Sequence, residues 1–382
     1  VTGPSAVGAL DGIVVADFSR VLAGPYATML LGDLGATVIK VERPGTGDDT
    51  RSWGPPFTED GGSTYFQSVN RNKRSLALDI ADPDDLQIAV NLANRADIMI
   101  ENFKPGALER YGLDYQSISR SHPGIVYCSI SGFGSGPGRD LPGYDLLVQA
   151  MGGLMSITGT TEPVKAGVAV VDVLTGLHAT VAILAALRHR EQSGVGQLVE
   201  VSLLSALLSS LVNQASGFVG AGYVPERMGN AHPSISPYEV YQAADRPIVI
   251  AVGNDGQFAN LTSVLGLPAL TEDPDFATNP ARVAHRDQLT RLLNEALSWQ
   301  DADHWQRKLT AAGVPCGPIN DISQAFALAT ELGLDPIVEL TGASGRQVAN
   351  PVDYSRTPAG YRLPPPVIGE GNDEVIAEFD LA

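Results

Sequence analysis

A carboxylate at a junction is the residue best placed to do chemistry in this sequence. Asp172 stands within residues 167–178 (GVAVVDVLTGLH), after a short β-branched run and before a long apolar stretch. The run reads as a buried strand and residues 175–191 as a helix. In open α/β sheets ligands bind outside the carboxyl ends of the strands, and a helix N-terminus favours an ionised carboxylate. Asp172 therefore either only caps the helix or stands beside a ligand bound at the strand end; the stretch by itself leaves both open. His178 falls on the apolar helix and reads as a core histidine with its hydrogen bonds met. His232 sits in a polar loop, GNAHP at 229–233. Arg71, Lys73 and Arg74 form a local basic cluster before a strand, a place where such residues are often surface charge.

Spacing excludes several chemistries. Cys128 and Cys316 form no CxxC pair, so neither a zinc site nor a disulfide framework is expected. No GxGxxG follows the first strand, and GFGSG at 132–136 runs into Pro137 where a third glycine is required. The same segment is not GxSxG, so a hydrolase nucleophile elbow is unsupported. The net charge of −18, from 25 basic and 43 acidic residues, argues against nucleic acid and anionic membrane as partners. The longest apolar stretches, near 180–187 and 202–212, are shorter than a bilayer span. Residues 1–10 lack the basic and apolar regions of a leader, and two unpaired cysteines suit a reducing compartment, so a cytoplasmic protein is expected.

The elements that must position Asp172 follow from the hydrophobic pattern. Residues 12–18 (GIVVADF) read as a strand, 19–25 as a loop, Pro25 to Leu34 as a helix and 37–42 (TVIKVE) as the next strand. This βαβ unit implies a parallel sheet. Further strands are expected at 75–80, 97–101, 125–129 and 197–201, with a helix at 86–96 capped by Asp82 and Pro83. Residues 143–145 (GYD) open a helix toward Met155, and 202–218 read as a second apolar helix. The texture then changes. A hairpin over 238–243 and 247–252, turning at Asp245-Arg246, precedes helices at 255–265, 283–299 and 301–312. The tail from Thr330 to Ala382 reads as mostly extended, crossing a folded surface. At 382 residues the chain holds two domains: a large α/β domain over 1–200 and 330–382, a linker at 201–225, and a smaller α+β domain at 226–329.

Taken together the segments resemble the class III CoA-transferases, the family of formyl-CoA transferase, carnitine CoA-transferase and α-methylacyl-CoA racemase. The resemblance rests on DFSRVLAGP at 17–25, LGATVIKVE at 34–42, NKRS at 72–75, ENFKPG at 101–106, the Asp172 stretch, VPCGP at 314–318 and IGE at 368–370. It covers nearly the whole chain and implies a Rossmann-like large domain completed by the C-terminal segment, a small domain, and two chains interlocked as a homodimer. It implies that Asp172 is the nucleophile of an acyl-CoA:carboxylate CoA-transferase, working through an aspartyl anhydride and an aspartyl-CoA thioester. It implies no permanent cofactor and no metal; acyl-CoA and a small carboxylic acid are the substrates, succinyl-CoA with a small dicarboxylate being the pair the closer-looking relatives suggest.

The resemblance also implies CoA contacts. Val21, Leu22 and Ala23 follow the first strand, Arg43 the second, and Leu78 lines the nucleotide pocket. Asn102, Phe103 and Lys104 follow a fourth strand, Arg110 faces a phosphate, and Tyr144 and Asp145 adjoin the thioester. Lys73 and Arg74 are weaker candidates, and His232 is a candidate for the acceptor site. The family's racemases carry a histidine where this chain has Tyr144; a phenol with a pKa of ~10 is a poor base for an α-proton, which favours transfer over racemisation or isomerisation. A CoA-binding protein without catalysis is the remaining alternative. The glycine-rich loop of formyl-CoA transferase has no counterpart between Gly220 and Pro237.

Overall fold

The computed structural model describes residues 8–340 and 345–382; most of the segment read for a leader lies outside them. Six strands form one parallel sheet: β1 (Val14–Asp17), β2 (Thr37–Glu42), β3 (Lys73–Ala77), β4 (Ile98–Glu101), β5 (Val126–Ser131) and β6 (Gln197–Ser202). Their order is β3-β2-β1-β4-β5-β6, so the direction of winding reverses between β1 and β4. Side chains alternate between the two faces. Val15, Val38, Ile98, Ile100, Val126 and Cys128 enter one core, while Ala16, Ile39, Met99 and Tyr127 enter the other.

The first core is closed by helices Ala23–Asp33, Asp145–Met151, Val170–Ser193 and Leu203–Ser210, and the second by Pro83–Arg95, Tyr115–Ser121 and Asn372–Glu378. The C-terminal segment thus belongs to the sheet's own packing. Val375 and Leu381 are fully buried, the Asn372 side chain bonds the backbone of Ala77 at both N–H and C=O, and Arg362 donates to the carbonyls of Gly32, Gly35 and Ala36.

The chain separates into two compact units: one runs to Leu154 and includes Lys165–Val224 and Leu334–Ala382; the other is Met155–Val164 with Pro225–Gly333. Residues 201–224, read from sequence as a linker, lie in the first unit, and Met155–Val164 in the second. The second unit holds an antiparallel sheet of β7 (Tyr238–Gln242), β8 (Pro247–Ala251) and β9 (Cys316–Pro318). Its core gathers Ile248, Ile250, Phe258, Leu261, Leu289, Leu293 and Trp305 from the sheet and from helices Asp255–Val264, Arg286–Leu297 and Ala302–Ala311.

Four local expectations are corrected. The run before Asp172 is not a strand, because the helix already begins at Val170. The reading 75–80 for β3 is moved to Lys73–Ala77, since Lys73 is drawn inward by buried acceptors. The apolar helix at 202–218 breaks into Leu203–Ser210 and Val212–Ala221, bent by 84°, with Val212 at φ +43°. The 24-residue helix Val170–Ser193 is long and apolar enough to cross a membrane; 44% of its apolar window is buried within the protein, and it packs on the sheet.

Candidate active site

The sheet sets the site. Each of five consecutive C-terminal strand ends passes into a segment that lines a cleft: residues 18–23 after β1, Arg43 after β2, Leu78 after β3, Asn102–Phe103 after β4 and Gly132 after β5. This is the crevice where an open α/β sheet binds ligands.

Two clefts share Arg20 and Phe103. One, of about 900 Å³, is lined by Phe18, Arg43, Leu78, Ile80, Arg110 and Tyr111 among others. The other, of about 1200 Å³, brings Val21, Leu22 and Ala23 together with Asn102, Phe103, Lys104, Tyr144 and Asp172. At their junction the Arg20 guanidinium lies 5.1 Å from the centre of the Phe103 ring. Eleven of the twelve residues expected at the site therefore line one cleft or both, Asp145 being the exception, and Asp172 with its neighbours lies in the first unit.

The loop between β1 and the first helix is held from beneath. Asp17 ends β1 fully buried and accepts from the Ser19 N–H and from the hydroxyls of Ser19 and Thr28. Lys40, one strand over, donates to the Ser19 carbonyl at 2.9 Å and to Asp48 at 3.0 Å. Asp48 accepts from the Val21 N–H at 3.1 Å. Burial opposes ionisation of Asp48, yet Lys40 and Thr50 hold its carboxyl down at about 2. Burial alone would also lower the Lys40 ammonium; the carboxylates of Asp17, Asp48 and Glu42 outweigh it and raise it. The loop needs this grip because Val21 has φ +70°, a left-handed backbone that costs a β-branched residue ~1–3 kcal/mol. From the other side Asn102 clamps one residue at both ends: Oδ1 accepts from the Arg20 N–H at 2.8 Å and Nδ2 donates to the Arg20 carbonyl at 2.7 Å.

Asp172 is the third residue of its helix, whose N-cap is Ala169 and offers no side-chain bond. The capping reading of Asp172 is thus replaced. The cap comes from Asp145, whose Oδ1 accepts from the N–H of Val171 at 2.8 Å and of Asp172 at 3.3 Å. Asp145 lines neither cleft and bonds the peptide of Asp172. Burial, then the Asp145 charge, pushes the Asp172 carboxyl up to about 7, against the pull of the helix N-terminus. The helix is itself locked in place. A Cβ at Gly176 would lie 2.7 Å from the Ala23 carbonyl oxygen, so glycine there lets the long helix touch the end of the Arg20–Ala23 loop.

Other candidates fall elsewhere. Lys73 is buried, donating to Asp17 at 3.1 Å and to Pro25 and Asn70 at 2.9 Å; Arg74 pairs with Glu378 at 2.6 Å. Neither lines either cleft. His178 is exposed, not a core residue, because it points off the outer side of its helix into a serine-rich groove. His232 belongs to the second unit, where its Nδ1 accepts from the Ser234 N–H at 3.1 Å and its ring lies 5.3 Å from that of Tyr238.

Sequence reasoning passed over three residues. Arg20 lines both clefts and precedes Val21 in the same motif, a signal already in hand. Arg139 lines the Asp172 cleft from a loop whose ends meet at Gly132 and Gly143; a Cβ on Gly132 would fall 2.4 Å from the Gly143 Cα. Tyr65, on the turn Thr64–Gln67, has its phenol pushed up to about 12 by burial and by the Asp172 and Asp145 carboxylates; nothing in its sequence surroundings links it to residues so distant in the chain.

Comparison with known proteins agrees with this geometry. The family profile described as CoA-transferase family III matches residues 10–372. The chain is 45% identical to the succinate–glutarate CoA-transferase of Agrobacterium fabrum, over 97% of this chain and 96% of that protein. It is 41% identical to the succinyl-CoA:glutarate CoA-transferase of Homo sapiens, over 97% and 85%. A solved CaiB/BaiF family protein from Brucella suis superposes with a TM-score of 0.88 at 41% identity, covering 98% of this chain and all of that one. A sheet whose strand ends build a cleft around Asp172, and a family profile spanning almost every residue, lead to one assignment: this chain belongs to CoA-transferase family III.

Proposed function

We propose that the protein moves CoA from an acyl-CoA to a small dicarboxylate, with Asp172 as the covalent carrier. The reading is carried by the position of Asp172, in the first turn of a helix and facing the cleft that the Arg20–Ala23 loop and Asn102–Lys104 also line. The Asp172 carboxylate attacks the thioester carbonyl; the C–S bond breaks and CoA thiolate leaves, giving a mixed anhydride. The thiolate attacks the aspartyl carbonyl, the donor leaves as a carboxylate, and Asp172 carries CoA as a thioester. The acceptor carboxylate attacks that thioester and releases the thiolate. The thiolate then attacks the acceptor's acyl carbon, forming the new acyl-CoA and freeing Asp172. Every step exchanges carboxyl and thiol groups, so neither a metal nor a resident cofactor is needed, and the cleft must exclude water from the anhydride.

The adenine and phosphates of CoA are assigned to the cleft of Arg43, Leu78 and Arg110, and the pantetheine passes Arg20 and Phe103 toward Asp172. These cations create a local positive field in a chain of net charge −18. Arg20, Lys104 and Arg139 at the Asp172 cleft suit the second carboxylate of a dicarboxylate, as the succinate and glutarate in the relatives' names suggest. We place the protein in the cytoplasm as a homodimer with interlocked chains. Apolar side chains on two helices support a partner's cover: Val181 is 66% exposed, Val212 69% and Phe218 57%.

Asp172→Ala tests the reading. The variant is expected to bind acyl-CoA as the wild type does and to lose transfer by several orders of magnitude, because the other acids of that cleft, Asp49 and Asp140, are paired with Arg20 and Lys104. Turnover at the wild-type rate would end the proposal. Screening acyl-CoA donors against dicarboxylic acids fixes the pair.

A further inference from the structure

The first turn of the Asp172 helix accounts for all its amide hydrogens. Val170 donates to the Val168 carbonyl and Val173 to that of Ala169; Val171 and Asp172 donate to Asp145 Oδ1. An N-cap bond is ordinarily made by the residue that starts the helix. Here it is borrowed from a different helix, 26 and 27 residues earlier. Asp145 is itself oriented. Gln149, fully buried and one turn on, donates from Nε2 to Asp145 Oδ2 at 2.6 Å and accepts the Ala166 N–H on Oε1 at 2.8 Å. The Asp145–Met151 helix thus straps the segment 166–172 at three amides.

We propose that Asp145 is a positioning residue for the transfer reaction: it fixes the nucleophile's peptide and places a second carboxylate beside the nucleophile's own. The proposal rests on Asp172 being the nucleophile. Two consequences follow. Fixing the peptide orients the carboxylate toward the cleft. The neighbouring charge makes Asp172 more basic, and the like-charge repulsion vanishes when acylation neutralises Asp172, so it acts on the step rather than on binding. Other groups face Asp172. Tyr65 lies near it on the Thr64–Gln67 turn. Along the cleft stand the cations Arg20, Lys104 and Arg139, the acids Asp49 and Asp140, and Tyr144. Asp145 alone among them bonds the Asp172 backbone.

The test compares Asp145→Asn with Asp145→Ala. Asn keeps an Oδ1 acceptor and removes the charge; Ala removes both. With acyl-CoA binding measured on each, Asp145→Ala is expected to lose ~100-fold in kcat with KM for acyl-CoA within about twofold of wild type. Asp145→Asn should recover most of that loss. Its kcat/KM should also hold to lower pH, since the acidic limb reports ionisation of Asp172 and that group titrates lower without the neighbouring charge. A loss confined to KM would make Asp145 a CoA contact. An acidic limb unmoved in Asn, with Asn and Ala equal in kcat, would remove the positioning role. Hydroxylamine trapping at Asp172 in the wild-type protein separates the two questions: if it fails, the nucleophile reading has failed, whatever Asp145 does.

Discussion

Asp172 shows how environment divides the labour among carboxylates of one chain. Asp48, tied to a buried ammonium, stays ionised, whereas Asp172, half-buried beside another acid, is held near neutrality. The sequence places the second carboxylate at a helix start and no more; its raised pKa comes from burial first and then from Asp145, both of which only the fold supplies. The cationic contacts were more visible, because Arg43 directly follows a strand whose pattern is unmistakable. Arg43 and Arg110 line the cleft that is farther from Asp172. If the CoA phosphates bind there as proposed, those contacts hold substrate and transition state alike. Arg43→Ala and Arg110→Ala are each expected to raise KM for acyl-CoA severalfold with a smaller effect on kcat, measured by initial rates. Unchanged KM in both would show that the nucleotide is held elsewhere.

At the level of elements, the site depends on one short loop under tension. Residues 19–21 are gripped by Asp17, Lys40, Asp48 and Asn102, and Val21 keeps a left-handed backbone there. The strands that end at this loop were readable from their β-branched runs. The grip was not, since Asn102 lies 82 positions from the residue it clamps. Likewise Asp172 was read at the end of a strand, because Val170 and Val171 favour strands locally; burial of Val171 against the sheet and the borrowed cap make them helix instead. Asn102→Ala removes both bonds to Arg20, at a cost of ~1–3 kcal/mol. A lower Tm and faster hydrogen exchange at the Arg20 and Val21 amides are expected. Protection equal to wild type would show that Asp48 and Lys40 hold the loop unaided.

For the whole molecule, the sequence pattern separated a parallel α/β unit from a smaller antiparallel one, and a tail that returns to the first. The tail's helix Asn372–Glu378 escaped that reading because seven residues between prolines and the terminus carry little periodicity; Val375 in the core explains it. The exposed apolar residues on the helices at 170–193 and 212–221 point outward from the chain's own packing. An interlocked dimer would cover them and could part only by opening a domain contact. Sedimentation across a wide dilution range should therefore show a dimer throughout, with dissociation close to unfolding. A folded, active monomer at low concentration would rule the interlocked arrangement out.

Covalent capture at Asp172 bears most directly on the account. The wild-type protein is incubated with acyl-CoA and no acceptor, quenched with hydroxylamine or borohydride, digested and analysed by mass spectrometry. The account predicts a hydroxamate or a reduced side chain on Asp172 alone, absent without acyl-CoA and absent in Asp172→Ala. An unmodified Asp172 peptide from protein that turns over normally when acceptor is supplied would contradict it.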